Sequence, residues 1–174
     1  MNKRYIYDLE IYQNLFCVTF LDIETKEKFL FATFGKRNDV NKLEEFLNRE
    51  ITIVGYNNLF YDNPVMQYFI QNKNEKDILK KTFGFSSDLI SMDRDYNLGN
   101  LIKKYQYSDV KYTQIDMMKI VEISGVAPSL KQAGINLKWY RIQDLPLPFD
   151  HLVSSEEEAN IIYDYNLNDV LVSE

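Results

Sequence analysis

Cysteine occurs once among the 174 residues, at Cys17, so an internal disulfide framework is excluded and the chain suits a reducing compartment such as the cytoplasm. Long apolar runs are absent as well. None approaches the roughly 20 residues that a helix needs to span a membrane, and the polar opening Met1-Asn2-Lys3-Arg4 is too short for a secretory signal. Positive charge is in deficit: the net charge of −6 argues against broad, non-specific nucleic-acid binding by this chain alone. A small nucleic-acid site in which cations neutralise acids is still compatible with that balance. Internal repeats, low-complexity segments and linkers are missing too, so a single domain is expected over 1–174. Aromatic residues are what the sequence has in plenty, with 13 Tyr and 11 Phe, and the length allows a sizeable core.

The stretch Tyr5-Ile6-Tyr7-Asp8-Leu9-Glu10 reads as an interior strand. Successive strand side chains point to opposite faces, so Asp8 and Glu10 share a face with Ile6, while Tyr5, Tyr7 and Leu9 fill the other. Two acids converging at the end of a buried strand repel one another and lose hydration. They persist where a cation or a protonation shift compensates. Apolar runs at 15–21 and 29–34, joined by the polar turn 22–28, complete a three-stranded antiparallel meander. A helix capped by Asn38-Asp39 and reaching about Arg49 follows, with Val40, Leu43, Phe46 and Leu47 on one stripe.

Further on, Ile51–Gly55 reads as a short buried strand, 56–61 as an Asn-rich loop, and Asp62 as the start of a helix with Pro64 in its first turn and Val65, Met66, Phe69 and Ile70 facing inward. Short helices are expected at 75–83 and, capped by Ser86-Ser87, up to Met92; 94–111 reads as helix plus loop, and 111–116 as the fifth strand. A helix is expected at 128–137, and 145–148 is extended because a residue before proline avoids the helical region. Ser155-Glu156-Glu157-Glu158 is a capping box that opens a final helix. This order predicts an α/β domain with a mixed five-stranded sheet and helices on both faces. The helical pattern is still running at Glu174, so the source polypeptide is expected to continue beyond it.

Other acids join the pair on the first strand. On the final helix Tyr165 and Asp169 stand at i, i+4 and share a face with Ile162 and Val172, which places an aspartate in an apolar stripe. A buried aspartate needs a cation or hydrogen-bond donors. Asp62 stands at a helix start, where the helix dipole favours an acid, and position alone favours a simple N-cap there. Taken together, Asp8, Glu10, Asp62 and Asp169 offer oxygen ligands from three separated elements. All-oxygen ligands suit hard cations such as Mg2+ or Mn2+, and two such ions a few ångström apart serve phosphoryl-transfer chemistry.

In this order and on these element types, the motifs resemble those of the DEDD (DnaQ-like) 3′–5′ exonucleases, which have a ribonuclease H-like fold. Asp8-Leu9-Glu10 matches the family's D-x-E strand motif. The run Gly55-Tyr56-Asn57-Asn58-Leu59-Phe60-Tyr61-Asp62-Asn63-Pro64 is similar to the second motif, and Tyr165-Asn166-Leu167-Asn168-Asp169 matches the Y-x-x-x-D of the DEDDy branch. That branch includes the proofreading domains of family A and family B DNA polymerases. With Ser129-Leu130-Lys131 ahead of a Leu-Pro loop, the chain is similar to exonuclease domains of bacteriophage polymerases.

The resemblance implies two divalent cations, Mg2+ or Mn2+, held by Asp8, Glu10 and Asp169, with Asp8 bridging and Asp62 acting mainly through water. It implies that Tyr165 orients the nucleophilic water, since a phenol with a pKa near 10 is a poor base at neutral pH. The implied substrate is the 3′ end of single-stranded or frayed DNA, and the implied partner is a polymerase domain in the same polypeptide. A stand-alone exonuclease acting on DNA or RNA and a non-catalytic nucleic-acid-binding domain of the same fold are the alternatives.

Asn57 and Tyr61 are candidates for contacts with the terminal nucleotides, by a hydrogen bond and by stacking; an Asx turn and a core aromatic are their bland counterparts. Lys131 is a candidate phosphate contact or a solvated helix lysine. Asp116, at the end of a strand, reads as a helix cap, and His151 as structural or incidental. The interleaved Lys103, Lys104, Tyr105, Tyr107 and Lys111 read as a solvated face with core tyrosines rather than as a single-strand contact. Asp22-Ile23-Glu24-Thr25 spells the strand motif better than Asp8-Leu9-Glu10, but it is polar and sits between two apolar runs, as a hairpin connection does.

Overall fold

The structure is a computed structural model that describes residues 2–91, 98–106, 108, 112–122 and 126–174. Its centre is the strand β1 (Lys3–Tyr12), whose alternation is as regular as the sequence suggests. Tyr5, Tyr7, Leu9 and Ile11 enter one core, together with Phe16, Val18 and Phe20 of β2 (Leu15–Asp22). Tyr12 faces the opposite side with Leu15 and Cys17, and Ile6 faces it with Leu21. Both faces of β1 are therefore buried, and Asp8 and Glu10 belong to the second face.

β3 (Lys28–Phe34) completes the antiparallel meander, and β5 (Ile51–Gly55) and β6 (Thr113–Asp116) add parallel strands on the other side of β1. Among the described residues the sheet has six strands rather than the expected five: with β4 (Arg37–Asn38), the order is β4-β3-β2-β1-β5-β6. The extra strand is the two-residue β4. Gly35 takes φ +57 in the turn before it, so the chain doubles back and pairs Thr33 with Asn38 and Phe34 with Arg37.

One layer of helices covers the Tyr5–Tyr7–Leu9 face: α1 (Val40–Leu47), α2 (Asp62–Gln71), α3 (Ile78–Ser91) and α4 (Leu98–Tyr105). The aromatic content is spent here; Phe16 stacks on Phe69 at 4.2 Å and Tyr7 on Phe20 at 5.4 Å between ring centroids. The short helices α5 (Met117–Val121) and α6 (Leu130–Asn136) lead to α7 (Glu156–Val172), which packs across β1 and β2 on the other face through Ala159, Ile162 and Val170. Among the described residues no helix is long and apolar enough to cross a membrane.

Several local expectations change. The two helices expected around 75–92 are one helix, α3. Ser86 is buried inside it and shares a 2.6 Å hydrogen bond with Tyr61 Oη, while Ser87 Oγ donates to the Phe83 carbonyl, so neither serine caps anything. Of the expected Asn38-Asp39 cap, Asn38 Oδ1 accepts from the Val40 amide at 3.2 Å, whereas Asp39 makes no side-chain cap; its carboxylate accepts instead from Arg37, Lys42 and the Ala32 amide. The capping box of α7 forms on one side only. Ser155 Oγ accepts from the Glu158 amide, but the Glu158 carboxylate turns to Ser154 and to His151 at 3.1 Å, which gives the lone histidine a structural contact.

Candidate metal centre

The ladders of β1 have unequal length, and that inequality makes the site. β2 pairs with β1 from Tyr5 to Tyr12, whereas β5 pairs only with Lys3 to Ile6. Beyond Ile6 the β5-side edge of β1 is open at the carboxyl ends of the parallel strands, a usual place for a crevice in an α/β sheet. Asp62 closes part of that edge. It is the first residue of α2, with Tyr61 at the N-cap and no side-chain cap, and its carboxyl accepts instead from the Leu9 amide, between Asp8 and Glu10. The N-cap reading of Asp62 is thus overturned by a strand edge that needed an acceptor.

Opposite this edge, α7 brings Asp169 to the same place. One carboxylate oxygen each from Asp8, Glu10 and Asp169 lie within 4.8 Å of one another. Asp8, Glu10, Asp62 and Asp169 together line a cavity of about 460 Å3, with Tyr56, Asn57 and Tyr61 on its wall. The stripe of α7 is rotated slightly from the one read in the sequence. Ala159, Ile162, Asn166 and Val170 form the buried line, and Tyr165 and Asp169 stand half-exposed at its edge. An acid at the rim of a cavity, rather than in the core, can receive a ligand.

The electrostatics are uncompensated. Burial pushes the Asp8 carboxyl well up from the ordinary range, and the charges of Asp62, Glu10 and Asp169 push it further, against one hydrogen bond from Asn166. Glu10 is pushed well up by burial and by Asp169 and Asp62, with no opposing hydrogen bond. Burial raises Asp62 to about 7 against the Leu9 amide, helped by Asp116 and Asp169. Asp169 is raised to about 6 by burial, against hydrogen bonds from Tyr165 and Asn168. Among the described residues no lysine or arginine pairs with any of the four.

Four crowded carboxyls without a cationic side chain, all offering oxygen, fit a hard divalent cation, and the Asp8, Glu10 and Asp169 triad could bind one.

The remaining candidates divide. Tyr165 Oη donates to Asp169, and burial first, then the neighbouring acids, pushes its pKa far up, so it stays protonated. Asn57 lines the cavity with φ 60, its conformation held by its amide bond to Asp116 and by its carbonyl, which accepts from Phe60 and Tyr61. Tyr61 is half core residue, packed against the apolar cluster, and half cavity wall. Lys131 misses the acidic cavity. It pairs with Asp144 and lines an adjoining cavity of about 250 Å3 with Arg141, Gln143, Tyr165 and Asp169.

Asp22 caps the β2–β3 turn by accepting from the Glu24 and Thr25 amides at 2.9 and 3.0 Å, which settles the look-alike motif as a turn. Lys104 and Tyr105 both bond to Asp88, and Tyr105 packs edge-on against Phe85 and Tyr68, as a solvated face with a core tyrosine should; Tyr107 and Lys111 lie outside the described residues.

Two residues with roles here escape a reading of the sequence. Asp116 does cap α5 through the Met118 amide, as expected, but it also accepts from the amides of Asn57 and Leu59 and so anchors the whole 56–61 loop. Asn166 donates to Asp8 from the buried line of α7, and its spacing of four from both Ile162 and Val170 is the signal that could have found it. Compared as a whole, the chain matches no family model, no curated protein and no solved structure, so the site stands on its own geometry.

Proposed function

We propose that the protein is a metal-dependent 3′–5′ exonuclease with a ribonuclease H-like fold, acting on the terminal phosphodiester of single-stranded or frayed DNA as the proofreading module of a DNA polymerase. The observation that carries this reading is the convergence of Asp8, Glu10, Asp62 and Asp169 on one cavity, with Tyr165 bonded to the last of them. Bound among these carboxylates, two cations, Mg2+ or Mn2+, would supply the positive charge that lowers the pKa of the attacking water and stabilises the leaving 3′ oxygen.

The chain's own residues do the rest. Asp8, Glu10 and Asp169 present oxygens on neighbouring elements, and Asp62 adds its carboxyl from the start of α2. Tyr165, kept protonated with its O–H given to Asp169, orients the attacking water by accepting a hydrogen bond from it rather than by acting as a base. Asn57 and Tyr61 on the cavity wall are placed for the terminal nucleotide, by hydrogen bonding and by stacking. All four acids are retained, which favours catalysis over a binding-only role.

The test is degradation of a 5′-labelled single-stranded DNA with Mg2+ or Mn2+, with a matched RNA alongside. A ladder shortened from the 3′ end, with nucleoside monophosphates released, is expected for DNA. Asp8→Ala with Glu10→Ala should abolish it. Cation-dependent degradation that persists unchanged in the double variant would remove these residues from the reaction, and a clear preference for RNA would replace the proofreading role with RNA turnover.

A further inference from the structure

Asn166 is 0% exposed, an amide on the buried line of α7. Its neighbours along α7, one turn away on either side, are Ile162 and Val170, both fully buried. Its Nδ2 donates to Asp8 Oδ2 at 2.8 Å. A carboxylate offers only lone pairs, so the amide must present its N–H there. Its Oδ1 is buried with no hydrogen-bond partner among the described residues. Burying an unpaired carbonyl oxygen carries a free-energy penalty that a leucine at the same position would avoid. What the asparagine gives in return is a single contact, the one to Asp8.

That contact matters because the Asp8 carboxylate has little else to hold it. The torsion that turns a carboxylate plane is soft. The charges of Asp62, Glu10 and Asp169 all act against the ionised Asp8. Without a donor, repulsion would swing the group away from the acids with which it has to share a cation.

We propose that Asn166 is a positioning residue that ties down Asp8 Oδ2 and thereby fixes the plane in which the Asp8 carboxylate meets Glu10 and Asp169. It acts on the cations through Asp8 and touches neither cation nor substrate. The proposal rests on the metal-centre reading above and deepens it. It assigns to this helix a donor that sets how tightly the centre binds its cation before any nucleic acid arrives.

The experiment is a calorimetric titration of Mn2+ into wild type and Asn166→Leu without nucleic acid, together with the melting temperature of each in the metal-free form. Loss of a donor behind a metal ligand typically costs about 10–100-fold in affinity, and a loss of that size is expected here. The metal-free melting temperature should stay level or rise, because the unpaired oxygen is gone. A merely structural asparagine predicts the reverse pattern, a lower melting temperature with unchanged Mn2+ affinity.

Binding within about twofold of wild type would overturn the proposal, since the effect expected is about tenfold or more. If the leucine variant does not fold, Asn166→Ala, which removes the amide without adding bulk, is titrated against the same criterion. Wild type that binds no Mn2+ at all would instead overturn the metal centre itself, a different result from two proteins that bind alike.

Discussion

Tyr165 and Asp169 show how one pair of side chains divides the work. The phenol donates to the carboxylate, and burial together with the surrounding acids holds its proton on. Tyr165→Phe removes one donor and nothing else of size. It should lower kcat by about 100-fold, the usual cost of deleting one such donor, and weaken Mn2+ binding by about 10-fold in calorimetry, because the hydroxyl stands behind the ligand Asp169. A kcat within about twofold of wild type would remove the hydroxyl from the reaction.

The raised carboxyls also fix a pH dependence. Asp62 moves from 3.8 to about 7 and Asp169 from 3.8 to about 6, so between these limits the folded chain binds more protons than the unfolded one. Stability of the metal-free protein is then fully present below the unfolded pKa, and it is lost as pH rises through about 6 and about 7. Calorimetric scans without metal should therefore show a melting temperature that falls between about pH 4 and about pH 7. Cation affinity should rise over the same range, because a ligand carboxyl must shed its proton first.

The loop between β5 and α2 depends on a strand that follows it by more than fifty residues. Asp116, at the end of β6, accepts from the amides of Asn57, Leu59 and Met118, and these bonds hold Asn57 in its left-handed conformation. Gly55 lets the loop fold back, since a Cβ there would sit 2.7 Å from the Asn58 Cβ. Asp116→Ala strands three amide donors beside a buried position. It should cost about 2–4 kcal/mol in urea denaturation, given ~1–3 kcal/mol for each donor left unsatisfied and some recovery through water. It should also raise KM for single-stranded DNA, because Asn57 and Tyr61 ride on this loop.

The sequence made the cap on α5 legible but not the grip on the loop, because a cap is a local pattern and the grip joins two strands side by side. Strand alternation was equally local, so both faces of β1 were readable, as was the choice of Asp8 over Asp22. Ser86-Ser87 looked like a cap for the opposite reason: local chemistry suggested one, and burial against Tyr61 overrode it. In the sequence the α7 stripe runs through Ile162, Tyr165, Asp169 and Val172, whereas in the fold it runs through Ile162, Asn166 and Val170, so Asn166 does not stand out from the sequence.

The site as a whole is a joint between the central strand and the last helix, which meet across 158 positions of sequence at Asp8 and Asn166. Ile162 and Val170 press α7 onto the sheet, and the four acids push against that closure. A domain optimised for stability alone would not keep four carboxyls there, so the cluster implies stability given up to a ligand that arrives later. A cation that binds only the folded chain returns it, by about 2.7 kcal/mol at 100 times its dissociation constant.

Asp8→Asn separates these contributions. It deletes the charge that faces Asp62, Glu10 and Asp169 while keeping a side chain that Asn166 can reach. The metal-free variant should melt above metal-free wild type at about pH 7.5, above the points at which Asp62 and Asp169 ionise. Saturating Mn2+ should raise the melting temperature of wild type and leave the variant nearly unmoved. The two curves should therefore cross as Mn2+ is added, wild type being the less stable protein without the cation and the more stable one with it. If Asp8→Asn melts lower in both conditions, Asp8 is a structural acid and the repulsion inferred from the cluster is not felt by the fold.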